Sequence, residues 1–165
     1  MTGNGIHIGR VLGIDIDIDW SWLLIFILVT WNLANTLIRF SATWPLGLIW
    51  GLAVLAACLF FGSVLAHELA HSLVARAQGL PVRRIVLFIF GGVSNIQREP
   101  DSPGAEFAMA IVGPITSLII GGALLLFVGV SLGRFSLSLE RPQTFFETLG
   151  PVGALALWLG TVNIL

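Results

Sequence analysis

The spacing of hydrophobic positions changes several times along the chain. Between Met1 and Asp19 apolar and polar residues alternate, as Ile6-His7-Ile8 and then, after Gly9, as Ile14-Asp15-Ile16-Asp17-Ile18-Asp19. Period two belongs to a strand with one packed face and one wet face. On such a strand neighbouring Asp carboxylates stand roughly 7 Å apart, too far to grip one ion together. Asp15, Asp17 and Asp19 are therefore read as a solvated face, and His7 receives no metal role. The stretch from Trp20 to Ile38 is predominantly apolar, with polar Asn32 and Asn35 near its far end. At about 1.5 Å per residue it covers a hydrocarbon core of roughly 30 Å. After Arg39–Thr43, Pro45 opens a helix expected to run to Gln78, where Gly79-Leu80-Pro81 stops it.

Val82–Ile96 reads differently. Ile85-Val86-Leu87-Phe88-Ile89-Phe90 is β-branched and aromatic, Gly91-Gly92 offers a tight turn, and Val93-Ser94-Asn95-Ile96 returns. So apolar a hairpin is expected to dip into protein or membrane. Glu106–Val130 is a third span, with Gly113-Pro114 inside it and Gly121-Gly122 offering a close helix approach. Ser131–Leu149 is a more polar connection, and Pro151 opens a fourth apolar helix. Pro151–Leu165 covers only about 22 Å, so that helix is expected to be incomplete. The pattern predicts an all-α polytopic membrane protein with about four transmembrane helices, near 20–38, 45–78, 106–130 and 151–165. A short N-terminal β element precedes them, and a re-entrant β-hairpin separates the second helix from the third.

Composition agrees. Of 165 residues, 56% are hydrophobic and 10% charged, with mean hydropathy +0.96, whereas soluble domains carry roughly 25% charged residues. Residues 1–165 are expected to be a single transmembrane domain, integrated in the lipid bilayer. The net charge of −1 and the absence of Lys leave no basic patch, so no nucleic-acid partner is expected. Arg10, Arg76, Arg83, Arg84 and Arg98 would share one side of the membrane, against Arg39, Arg134 and Arg141 on the other. That excess places the hairpin, the N-terminus and the inner end of the second helix in the cytoplasm.

Chemistry concentrates in that inner end. His67-Glu68-Leu69-Ala70-His71 reads H-E-x-x-H. Four residues turn a helix about 400°, so both imidazoles project from nearly one face and could hold one Zn²⁺. Glu68 could take a proton from a water activated there. The plainer reading of a lone membrane His is a hydrogen-bonded polar residue between helices. An unpaired intramembrane carboxylate such as Glu68 is harder to explain that way. A catalytic zinc usually has three protein ligands, and only His67 and His71 are evident. Apart from Glu106, at the very start of the third span, no other acidic residue lies within one, so a third ligand is expected beyond Leu165. An extended substrate could join the hairpin as an added strand along Ile85–Phe90 or Val93–Ile96.

Taken together, these residues resemble the site-2 protease family of intramembrane zinc metalloproteases, and within it the bacterial and archaeal branch that includes the sporulation factor processing protease. The carriers are Gly9-Arg10…Gly13-Ile14, His67-Glu68-Leu69-Ala70-His71, Leu87-Phe88-Ile89-Phe90-Gly91-Gly92-Val93 and Glu106-Phe107…Gly113-Pro114…Ser117. The resemblance implies one zinc per active site, held by His67, His71 and an Asp, with Glu68 as general base. It also implies cleavage of membrane-anchored protein substrates in a bacterial or archaeal cell membrane. The Asp belongs to a later Asn-x-x-Pro…Asp-Gly motif that this chain does not reach. Two rival readings are a catalytically incompetent membrane protein with a structural or regulatory role, and a transporter with an intramembrane metal site. A transporter would spread polar residues over several spans, whereas here they gather at one helix end.

Overall fold

A computed structural model describes residues 5–40, 43–96, 102–133 and 142–165. Four strands and four helices follow the chain as β1 (Ile6–Val11), β2 (Ile14–Ile18), α1 (Trp20–Phe40), α2 (Leu46–Ala77), β3 (Val82–Phe88), β4 (Gly91–Ile96), α3 (Pro103–Gly133) and α4 (Pro142–Ile164). Among the described residues three helices are long and apolar enough to cross a membrane, over Trp20–Arg39, Leu46–Ala77 and Pro103–Ser131. The chain forms two compact units, one of residues up to Phe26 with Phe61–Ser117, the other of Ile27–Phe60 with Leu118–Leu165.

The first unit is built on a single four-stranded sheet in the order β1-β2-β3-β4. The sequence pattern suggested two separate β pieces; the structure joins them. β2 and β3 pair in parallel, Ile16 opposite Ile85 and Ile18 opposite Leu87. A parallel pair requires a long crossover, which α1 and α2 supply. The Asp19 amide extends the pairing by donating to the Leu87 carbonyl at 2.8 Å. Alternation then does its work: Ile14, Ile16, Val82, Ile85 and Leu87 are buried with Ala75 and Leu80. β1 departs from the expected half-buried strand. It is an edge strand, and Ile6 and Ile8 remain 48% and 56% exposed.

Helix ends are chemically specified. The Asp19 carboxylate accepts from the Ser21 amide at 2.9 Å and caps α1. At the end of α2 the Leu80 amide reaches the Ala75 carbonyl and the Gly79 amide reaches Arg76, with Gly79 at φ 80°. That is the Schellman arrangement, closed by the Leu80–Ala75 apolar contact. The hairpin turn between β3 and β4 lies two residues earlier than the Gly-Gly pair suggested. Phe88 pairs with Gly91, so Ile89 and Phe90 make the turn and Gly91-Gly92 open β4.

In the second unit Leu33, Ala34, Leu37, Ile49, Ala53, Ala56 and Ala154 form the core. A side chain at Gly121 would meet the Gly160 carbonyl at 2.8 Å, so α3 and α4 approach almost backbone to backbone there. α4 begins at Pro142, earlier than expected, but Gly150 breaks it at φ 69°. The apolar stretch of this helix, Leu149–Ile164, is short.

Candidate active site

The predicted site residues all lie in the first unit. His67, Glu68 and His71 sit half-buried on α2. The two imidazoles stand 4.8 Å apart, centre to centre, at 70°. Each ring is held by its Nδ1. His67 Nδ1 meets Ser117 Oγ at 2.9 Å, and His71 Nδ1 meets the Met109 carbonyl at 2.6 Å. A carbonyl only accepts, so His71 Nδ1 carries a proton, and in the neutral imidazole its Nε2 keeps the lone pair. This is the tautomer that a metal-binding imidazole needs.

Both Nε2 atoms face one residue of α3. A Cβ built on Gly113 would lie 2.5 Å from Nε2 of His67 and would overlap Nε2 of His71. The space in front of the two nitrogens therefore exists because residue 113 has no side chain. Met109, Gly113 and Ser117 recur every four residues, so one stripe of α3 meets the His pair. Pro114 follows within an unbroken α3. It lacks the amide hydrogen that would bond the Ala110 carbonyl, which loosens the turn carrying Met109.

Glu68 is held from the other side. Its Oε2 accepts from Ser94 Oγ at 3.0 Å, and Ser94 Oγ accepts from Ser72 Oγ at 3.0 Å. A Cβ at Gly92 would overlap Glu68 Cγ, so the backbone of β4 lies directly against the glutamate. This close approach explains the second glycine of the pair. Arg76, further along the same helix, donates to the Leu12 carbonyl at 2.5 Å.

The two His fit a metal: converging Nε2 atoms, tied Nδ1 atoms and an open cradle. Among the described residues no third His, Cys, Asp or Glu completes the set. The N-terminal carboxylates lie elsewhere and are engaged. Asp15 pairs with Arg10 at 2.7 Å, Asp17 with His7 at 2.9 Å and Arg84 at 3.3 Å. The Arg10 guanidinium holds the Asp15 carboxyl below its ordinary range. The Ser21 hydroxyl and amide do the same for Asp19.

Sequence reasoning named His67, Glu68 and His71 but placed none of Ser72, Gly92, Ser94, Met109, Gly113 and Ser117 at the site, reading Gly92 only as a turn residue. The four-residue spacing of 109, 113 and 117, and of 68 and 72, carried a signal once those stretches were known to be helical.

Residues 55–164 match the profile of Peptidase family M50. Over 157 residues the chain is 41% identical to sll0528 of Synechocystis, a protein named as a zinc metalloprotease; this covers 94% of the chain and 40% of the relative. It is 35% identical over 162 residues to Rip3 of Mycobacterium tuberculosis, likewise named, covering 98% of the chain and 38% of that protein. The chain thus spans about two fifths of the length of these relatives. The solved site-2 protease from Methanocaldococcus jannaschii superposes with a TM-score of 0.55 at 26% identity, covering 98% of the chain and 64% of that structure. This chain belongs to peptidase family M50, the family of the site-2 proteases.

Proposed function

We propose that the chain forms the catalytic part of a zinc-dependent intramembrane endopeptidase, a single transmembrane domain whose active site faces the cytoplasm. The observation that carries the reading is the convergence of His67 and His71 Nε2 on the space left by Gly113, with Glu68 beside them. His67 and His71 are the proposed metal ligands. A carboxylate outside the described residues is the proposed third, as the family resemblance implies. Zinc bound there would acidify a water and polarise a peptide carbonyl. Glu68 accepts the proton from that water and returns it to the leaving amine. Leu65 and Leu69, packed against the sheet core, limit water at the site.

The proposed substrate is a membrane-anchored protein whose transmembrane segment must unwind to expose a peptide bond. Support comes from the sheet. β3 is flanked by β2 and β4 and offers no free edge, whereas β4 is an edge strand lying against Glu68. Of the two strand-addition sites suggested by sequence, β4 is the one retained. Four spans are proposed, with α4 as the fourth.

The test is Glu68→Gln in the full-length protein, assayed on a membrane-anchored substrate with zinc content and melting temperature measured in parallel. Cleavage should fall at least about 100-fold, the usual contribution of a general base, with zinc and stability retained. Equal cleavage by the variant, or none by the parent, would favour the structural or regulatory reading.

A further inference from the structure

We propose that Ser94 and Ser72 are positioning residues that fix the Glu68 carboxylate for proton transfer, an inference that rests on the proteolytic reading above. Ser72 lies one helical turn beyond Glu68 on α2, on the same stripe, and is fully buried. A serine in a helix commonly returns its hydroxyl to the carbonyl four residues back. Here Ser72 Oγ donates across to β4 instead, reaching Ser94 Oγ at 3.0 Å. Ser94 has one proton, and with its oxygen accepting from Ser72 that proton is committed to Glu68 Oε2 at 3.0 Å.

The arrangement is directional: Ser72 orients Ser94, and Ser94 occupies Oε2. Glu68 keeps Oε1 free for the reacting water. Gly92, two residues earlier on the same strand, packs its backbone against Glu68 Cγ. A glutamate otherwise samples several side-chain rotamers, and a general base acts only within hydrogen-bond reach of its proton. A donor at the carboxylate and backbone against the side-chain stem remove that freedom. The residues doing so come from different elements, α2 and β4, so the hairpin contributes to the orientation of the base as well as to substrate binding.

The experiment compares Ser94→Ala, Ser94→Thr and Ser72→Ala with the parent in the full-length, zinc-loaded protein. It measures kcat and KM on a membrane-anchored substrate, zinc per chain and melting temperature. Loss of Ser94 should lower kcat about 10- to 100-fold, the range for groups that orient an active-site residue, with KM and zinc content unchanged. Ser94→Thr keeps the hydroxyl and should restore most of that rate. Ser72→Ala should show a smaller fall in kcat, because Ser94 keeps its donor but loses its orientation. A parental kcat in Ser94→Ala overturns the proposal. So does a loss that follows falling zinc or melting temperature and is not restored by Thr, since a merely structural tie between β4 and α2 behaves that way. Glu68→Gln in the same series separates the two readings. If it is inactive while Ser94→Ala is parental, only the positioning role fails; if it cleaves normally, both fail.

Discussion

Gly113→Ala is the sharpest test of the metal cradle. The added methyl would sit 2.5 Å from His67 Nε2 and closer still to His71 Nε2. Carbon contacts settle near 3.5 Å, so something must give by about 1 Å. Either α3 retreats or the rings turn away. Both responses strain the same two hydrogen bonds, because Met109 and Ser117 lie on α3 with Gly113. At about 1 kcal/mol each they cost about 2 kcal/mol. Replacing a helical Gly by Ala returns about 1 kcal/mol. The metal-free protein should therefore be destabilised by only about 1 kcal/mol. Zinc affinity should suffer much more, since the methyl fills the space both nitrogens face. A loss of at least about 100-fold is expected, the upper range seen even when ligand orientation alone is disturbed. Competitive chelator titration reads the affinity, and thermal unfolding of the zinc-free protein reads the structural cost. Parental zinc affinity in Gly113→Ala would show that His67 and His71 do not bind metal through the Nε2 atoms that face Gly113.

Other residues give simpler expectations. Gly92→Ala should lower cleavage by at least about 10-fold without lowering zinc content, because its methyl meets Glu68 and not the imidazoles; equal loss of zinc would contradict that division. Leu12 holds φ 51° at an exposed turn, a conformation that costs a leucine about 1 kcal/mol. Leu12→Asn should raise the unfolding free energy by up to that amount, and an unchanged or lower melting temperature would count against strain there. Asp19 has its carboxyl lowered from the ordinary value of 3.8 by Ser21. Its capping contribution is complete above that value and is lost as pH falls through the lower folded value. Melting temperature should therefore drop at acid pH less steeply in Asp19→Asn, which keeps the capping oxygen but does not titrate.

What the sequence made legible follows from the range of the interactions involved. The apolar spans, the Gly79 stop and the i, i+4 His pair are local consequences of helix geometry, and each can be read within a single turn or span. The sheet could not be read so directly. Ile14–Ile18 and Val82–Phe88 each announce a strand, but neither indicates its parallel partner across two intervening helices. Ser94 illustrates the same limit at the site. Within Val93-Ser94-Asn95-Ile96 it is an ordinary polar position of a strand; only the crossover brings it to Glu68. A close helix approach was read at Gly121-Gly122, and Gly113 is a second such place on the same helix. There α2 comes close, and what occupies the gap is a pair of imidazoles. Gly92 was assigned to turn geometry, and its tertiary contact with Glu68 outweighs that local preference.

Strand addition at the β4 edge makes a prediction that a purely structural hairpin does not. An antiparallel or parallel neighbour bonds a strand through alternate residues, so an added substrate strand would offer β4 every second amide. Removing one such bond should cost about 1 kcal/mol, or roughly a fivefold loss in kcat/KM. Moving a single N-methyl group stepwise along a substrate segment should therefore produce losses that recur with period two on one side of the scissile bond. Recognition by side-chain pockets alone would track residue identity instead, and a helix-bound substrate would respond with a period near 3.6. β3 cannot generate the pattern, because β2 and β4 already occupy both its edges. A flat profile, with every N-methyl position cleaved alike, would remove strand addition and leave the sheet only its role of pressing Gly92 and Ser94 against Glu68.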